Sequence, residues 1–422
     1  MAAALVRHAA AALAALALAP VAGAALLVKP AWRAGASERL GLRGPHAPGA
    51  VWVHGASVGE ILAATRVLDA LRESGRAVLA STNTATGQAV LARMRPGVPR
   101  CYAPLDHPWC VEAALARVAP AALVLVETEL WPCWIAAAAR RRAPVVVVSG
   151  RISERSLPRY QRLAPLLRDT FERIAAVGAR SDADARRFAA LGVAPDRIEV
   201  TGDLKLETPT ATPSLAPDLA ELLAGAPFWV AASTRPGEEE AVLAAHAAAQ
   251  RAGLGSALLL APRHLERIPD LVLLFAARDV RWRRRSDANH APLAPGEVLL
   301  LDTLGELPAV FARARFAFVG GTLVPIGGHN VLEPAYSGRG VLFGPHVEAV
   351  REAAALLLGC GGARQVAHEP ALEAAVLEWL REPAQADAHG AAAQRELARH
   401  HGATERSRAL IERVLVAAQG RA

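Results

Sequence analysis

Four ionisable residues in the first half of the chain sit where a substrate could reach them. Glu60 ends the run His54 to Glu60, HGASVGE, in which Gly55, Ala56, Ser57 and Gly59 are all small and allow close approach to the backbone. A glutamate there can take the proton of an attacking hydroxyl as a C–O bond forms. On position alone it equally complements the dipole of the helix it opens. Glu127 and Glu129, in ETELWP, follow the apolar run AALVLV and so stand at the carboxyl end of a strand. Strand alternation places both on one side of the chain, where burial and mutual repulsion raise carboxyl pKa values unless a partner or a function compensates. The alternative is one solvated and one capping glutamate, with Trp131-Pro132 opening the next helix. Lys205, in TGDLKLE, is one of two lysines in the chain, with Lys29; the other fixed cations are arginines. A lysine kept in such a composition marks a place for a compact ammonium, although a solvated linker lysine fits the same position.

The second half carries groups suited to an anion. The short apolar run Phe316 to Val319 ends at Gly320-Gly321, and a second pair, Gly327-Gly328, precedes Asn330, which opens a helical pattern with Glu333 three residues on. Strand, glycine loop and helix start together offer backbone N–H groups to an anion, and Glu333 suits the hydroxyls of a ribose. Ser233 or Thr234 ends another strand and is a natural N-cap, with Pro236 in the opening turn. That turn would hold a carboxylate or a phosphate, or serve as a cap alone. Arg263, after Pro262, offers a guanidinium fork for phosphate. No DxD stands where it would suggest a metal-bound sugar diphosphate, and no zinc spacing occurs, so neither metal nor cofactor is expected.

These residues need a rigid frame, and the hydrophobic pattern supplies one. Apolar runs of three to six residues alternate with helical patterns throughout: Val51–His54, Ala77–Ser81, Leu123–Val126, Val145–Ser149, Ile174–Val177 and Ile198–Thr201, then Phe228–Ala232, Ala257–Ala261, Val298–Asp302, Phe316–Val319 and Val341–Phe343. Such runs are strands of parallel sheets covered on both faces. Between the two sets lies ETPTATPSLAPDL, a proline- and threonine-rich linker. The expected fold class is α/β, two doubly wound Rossmann-like domains that each bind ligands at the carboxyl ends of their strands.

At 422 residues the chain is comfortable as two domains, and with aromatics at 5% their cores are aliphatic. The four cysteines lack CxxC spacing and read as reduced thiols, although Cys101 and Cys110 are near enough in sequence to pair. The net charge of +7 suits anionic lipid or a phosphorylated acceptor. A nucleic-acid partner is not expected, because aromatic residues are not interleaved with the basic runs. Residues 9–28 are uncharged and mostly apolar, close to the length of a bilayer span, and Lys29, Arg33, Arg39 and Arg43 follow them. Positive flanks stay inside, so residues 1–28 are expected to anchor a cytoplasmic body to the membrane. A cleaved signal peptide is the other reading.

HGASVGE, ETELWP and GGHNVLEPA, in that order, resemble the Kdo transferases, which move 3-deoxy-D-manno-octulosonic acid (Kdo) from CMP-Kdo to the lipid A precursor of lipopolysaccharide. The resemblance runs from about residue 30 to about residue 415. It implies a glycosyltransferase B fold: an inner-membrane anchor over 1–28, an acceptor-binding domain over 29–207, a linker over 208–219 and a CMP-sugar-binding domain over 220–422. A closing helix near Ala391 to Ala418 would cross back to the first domain. It also implies roles. Glu60 is the catalytic base, Glu129 assists the transition state with Glu127 in support, and Lys205 stabilises developing charge. CMP is contacted by Pro262 and Arg263, by Leu304, Gly305 and Glu306, and by Asn330, Val331, Leu332 and Glu333. Ser57, Gly59, Ser233 and Thr234 are further candidate substrate contacts. The chain departs from the family pattern at Cys133 and Asp203, each in place of asparagine, at Arg235 in place of histidine, and at Val331 in place of proline. The expected partners are CMP-Kdo, a lipid A precursor and inner-membrane lipid. The rivals are another transferase or an epimerase of this fold using a UDP- or GDP-sugar, and a non-catalytic membrane scaffold.

Overall fold

The structure is a computed structural model that describes residues 33–207, 214–286 and 291–420. The anchor expected over residues 1–28 lies outside these residues. Among the described residues no helix is long and apolar enough to cross a membrane.

The chain forms two compact units. One comprises the residues up to Glu207 together with those from His400 onward; the other runs from Thr208 to Arg399. The first unit is built on seven strands: β1 (Val51–His54), β2 (Val78–Thr82), β3 (Arg100–Tyr102), β4 (Ala122–Val126), β5 (Val145–Gly150), β6 (Ile174–Ala179) and β7 (Ile198–Val200). They pair in the order β3-β2-β1-β4-β5-β6-β7, parallel throughout. Strand order reverses between β1 and β4, the switch point at which doubly wound sheets bind ligands. β1, β2, β4 and β5 are buried along their whole length, as expected of a sheet covered on both faces.

The second unit has β8 (Phe228–Thr234), β9 (Ala257–Pro262), β10 (Trp282–Arg284), β11 (Val298–Leu300), β12 (Phe316–Val319), β13 (Gly340–Phe343) and β14 (Ala363–Gln365). Their order is β10-β11-β9-β8-β12-β13-β14, again all parallel, with the reversal between β8 and β12. In its core Trp229 stacks on Phe316, which meets Trp379 edge to face.

Two boundaries differ from the sequence reading. The closing helix expected near 391–418 is two helices, Pro383–Ala398 and Ala403–Gln419, separated by a turn at Gly402 with φ 73°. The second packs Leu410, Ile411 and Leu415 into the same core as Val51, Val53 and Leu68, so residues 400–422 belong with the first unit and not with the 220–422 domain. Buried Glu207 fixes its start by accepting from the Thr404 N–H at 3.1 Å. The expected linker 208–219 ends early, because Pro217–Leu222 is a helix that buries Leu219 and Leu222.

Candidate active site

At the switch point of the first unit, Ser57 caps the helix Val58–Glu73. Its hydroxyl donates to Glu60 Oε1 at 2.8 Å, while the Ala56 N–H donates to Glu60 Oε2 at 2.8 Å and the Glu60 N–H donates back to Ser57 Oγ at 3.3 Å. This is a variant of the capping box in which the glutamate reaches the N–H before the N-cap and the cap hydroxyl itself, and it holds the Glu60 carboxylate over the small-residue loop. The helix-start role read from its position is thus observed. Gly59 lies beside Lys205: a Cβ there would be 3.4 Å from Lys205 Cε and Nζ, which places the ammonium at the start of the helix.

Lys205 forms an ion pair with Glu127. Burial pushes the Glu127 carboxyl up, Lys205 opposes that, and Glu60 and Asp203 push it up further. Glu60, Glu127 and Lys205 thus form one electrostatic cluster. Glu127 and Glu129 do not share a side as alternation had suggested. The strand ends at Val126, and Glu127 takes φ 63°, which breaks the pleat. Glu129 instead accepts from Trp131 Nε1 at 2.6 Å and lies 3.7 Å from His54 Nε2. Strained, positive-φ residues recur at strand carboxyl ends here: Glu127 after β4, Ser149 in β5 and Ser233 in β8.

The two family departures in this unit are accommodated. Asp203 is buried; it accepts from the Lys205 N–H at 2.9 Å and from Ser149 Oγ at 3.3 Å, and Arg180 meets its charge at 3.3 Å. That set fixes the turn that presents Lys205. The Cys133 N–H donates to Asp106 at 3.3 Å, and burial raises the thiol pKa to about 11, so it stays protonated.

In the second unit the glycine loop differs from its reading as an open anion site. Glu238 is fully buried and occupies it: Oε2 accepts from the N–H groups of Gly321 at 2.7 Å and Arg235 at 2.9 Å, and Oε1 from those of Thr322 and Leu323 at 2.9 Å each. The first glycine pair makes this possible. A Cβ at Gly320 would meet Glu238 Oε2 at 2.7 Å, and one at Gly321 would meet the His329 ring at 2.9 Å. Hence the acidic run Glu238–Glu240 does not repel an anion at that loop; its first member is the anion bound there. Glu239 pairs with Arg267 at 2.6 Å. The helix begins at Glu239 and has no side-chain cap, so Ser233 and Thr234 do not cap it.

A cationic group forms instead beside His329. Arg235 Nε donates to His329 Nε2 at 3.1 Å. Burial, then Arg235, Arg263 and His264, lower the His329 pKa to about 4, so its ring is neutral and accepts. Arg263 is exposed and also acts on Glu333, whose carboxyl burial pushes up. Asn330 donates to Glu333 Oε1 at 3.2 Å and accepts from the Leu332 N–H at 3.1 Å, opening a helix of only five residues, Leu332–Tyr336. Val331 and Leu332 are buried, so their side chains do not meet a ligand. Arg263, Asn330 and Glu333 are therefore brought together, and Arg235, His264 and His329 join them. Glu306 is engaged elsewhere: Arg285 holds it at 2.8 Å, and Asp218 shares that guanidinium at 2.8 Å. Leu304 is exposed, and Gly305 takes φ 87°.

Sequence reasoning missed His54, Glu238 and His329. Two of these were visible inside the quoted motifs, as the first residue of HGASVGE and the third of GGHNVLEPA. Glu238 gave no signal beyond an acidic first turn.

Two doubly wound parallel sheets, with ionisable groups gathered at both switch points, form the glycosyltransferase B fold. The solved structure of MurG from Acinetobacter baumannii shares this fold at 12% identity and a TM-score of 0.53, covering 87% of this chain and all of that one. Residues 34–208 match the family described as 3-deoxy-D-manno-octulosonic-acid transferase (kdotransferase). The 3-deoxy-D-manno-octulosonic acid transferase of Bordetella pertussis is 35% identical over 400 residues, 90% of this chain and 92% of its own length. The enzyme of that name from Haemophilus influenzae is 33% identical over 387 residues, 89% and 90% of the two chains. The chain belongs to the 3-deoxy-D-manno-octulosonic acid transferase family.

Proposed function

We propose that this enzyme transfers Kdo from CMP-Kdo to a sugar hydroxyl of a lipid A precursor. The observation that carries the reading is the cluster at the first switch point, where Glu60, held by Ala56 and Ser57, stands beside the Lys205–Glu127 pair. Glu60 takes the proton of the acceptor hydroxyl, whose oxygen attacks the anomeric carbon of Kdo while CMP leaves, inverting configuration in one displacement. Lys205 offsets charge that develops as the bond to CMP breaks. Its pairing with Glu127 keeps the ammonium in place before substrate arrives. Glu129 assists the same transition state.

In the second unit, Arg263 and Arg235 present guanidinium groups to the phosphate and carboxylate of the donor. Glu333, steadied by Asn330, takes ribose hydroxyls. Neutral His329 orients Arg235 through its ring nitrogen. These protein groups neutralise a departing monophosphate without a metal, so the reaction should proceed unchanged in EDTA. The body of the protein works on the cytoplasmic side of the inner membrane, where residues 1–28 anchor it.

The test is to incubate purified protein with CMP-Kdo and a tetra-acylated lipid A precursor and to read the product masses. A mass gain of one or more Kdo units with release of CMP is expected. Transfer only from a UDP- or GDP-sugar, or loss of activity in EDTA restored by magnesium, would overturn the reading.

A further inference from the structure

His54 is the last residue of β1 and is completely buried. Its register partner across β2 is Ser81. The Ser81 hydroxyl accepts from Trp52 Nε1 at 2.8 Å and lies 3.0 Å from His54 Nδ1. An indole N–H can only donate, which leaves the serine proton free to point at Nδ1, and the Glu129 carboxylate that faces Nε2 can only accept, so the tautomer that serves both neighbours has Nδ1 accepting from Ser81. In neutral imidazole the ring proton is then on Nε2. Trp134 packs against the ring at 5.0 Å between centroids and fixes its plane.

The simpler account is that His54 fills space between two tryptophans. It does not explain Nε2, which is buried and has no hydrogen-bond partner among the described residues. A buried donor left unpaired destabilises a fold, and native structures rarely keep one without a use. The acceptor it faces is Glu129 Oε2, at 3.7 Å, just beyond hydrogen-bond reach. That oxygen is fixed on its other side by Trp131. A small change in the Glu129 side-chain torsions closes the gap.

We propose that His54 is a positioning residue for Glu129. Its Nε2–H holds the carboxylate in the orientation that transfer requires, and Trp52 and Ser81 set the tautomer that makes Nε2 the donor. No proton is transferred. The histidine acts on the reaction only through Glu129, so the inference rests on the reading of Glu129 as part of the catalytic cluster.

The experiment is a double-mutant cycle on turnover with CMP-Kdo and the lipid acceptor, using His54→Leu, Glu129→Gln and their combination. His54→Leu should lower kcat about tenfold to a hundredfold, the worth of a hydrogen bond to a charged group, with the donor KM unchanged. In the Glu129→Gln background the same change should cost less than about twofold. His54→Gln, which restores an N–H donor at a similar reach, should recover most of the loss. If His54→Leu does not fold, Ser81→Ala carries the same cycle, because it nearly conserves volume while releasing the tautomer. Nitrogen-15 spectra of the imidazole should show the proton on Nε2. An equal loss in both backgrounds, no loss in the wild-type background, or a proton on Nδ1 would overturn the inference. Wild-type turnover in Glu129→Gln alone would remove the Glu129 reading, and the inference with it.

Discussion

Replacing Glu238 by glutamine should destabilise the second unit while leaving its charge-bearing surface almost untouched. Each carboxylate oxygen accepts two backbone N–H groups, all between 2.7 and 2.9 Å, and the side chain is fully buried. Glutamine keeps one acceptor oxygen. The amide on the other side then points its own hydrogens at two N–H donors. Each stranded donor costs about 1–3 kcal/mol, so the total is roughly 2–6 kcal/mol. For a unit of this size, 1 kcal/mol shifts the melting temperature by about 2–4 °C. The smallest expected fall is therefore about 4–8 °C in the transition of the second unit, read by differential scanning calorimetry. A fall of less than about 1 °C would mean that the loop does not depend on this carboxylate, and the account of the first glycine pair would fail.

Glu60→Gln should lower turnover by about 10²–10⁴ while CMP affinity stays near wild type, since the proposed base belongs to the first unit and the proposed donor groups to the second. Arg263→Ala and Glu333→Ala should each weaken CMP in isothermal titration; unchanged affinity in both would place the donor elsewhere. His246 is buried in the second unit, with its pKa lowered to about 4 by burial. The unfolded chain takes up that proton near pH 6.5 and the native state does not, so stability is fully present above pH 6.5 and falls as pH drops from there toward 4. The loss is at most about 3 kcal/mol. His329 acts with the same sign, so His246→Leu should flatten only part of the dependence of melting temperature on pH. Removing residues 1–28 should shift the protein from the membrane fraction toward the soluble one and spare turnover on detergent-dispersed acceptor; full retention on membranes at high salt would contradict the anchor.

The eleven apolar runs read from the sequence all became strands; ten are interior strands, which carry their signal in their own buried residues, and Ile198–Val200 alone is an outermost strand. The three strands that were not foreseen, Arg100–Tyr102, Trp282–Arg284 and Ala363–Gln365, are each an outermost strand of a sheet. Each of these three is paired on one side only, is short, and carries arginines or glutamine, so no apolar run announces it. Glu60 stood out as the acidic residue of a helix's first turn because the loop and helix that flank it are local in sequence. Glu238 and Gly321 are 83 positions apart, and nothing in either neighbourhood shows that one fills the other. The alternation that grouped Glu127 with Glu129 failed for a related reason: it assumes extended backbone, and the chain leaves it at Glu127.

The return of the last helix to the first unit bears on how the protein is made. Val51 and Val53 share a core with Ile411 and Leu415, although the whole second unit is encoded between them. At roughly 5–20 residues per second, a ribosome that has just released Glu207 needs about 10–40 s more to supply the helix that finishes this core. Over that interval, the face of the first sheet covered by Leu410, Ile411 and Leu415 in the finished protein stands open, and it is apolar. The nascent chain therefore offers a sticky surface for its whole second act of synthesis, long enough for a chaperone or a neighbouring chain to find it. A transcript truncated before codon 403 would leave that exposure permanent.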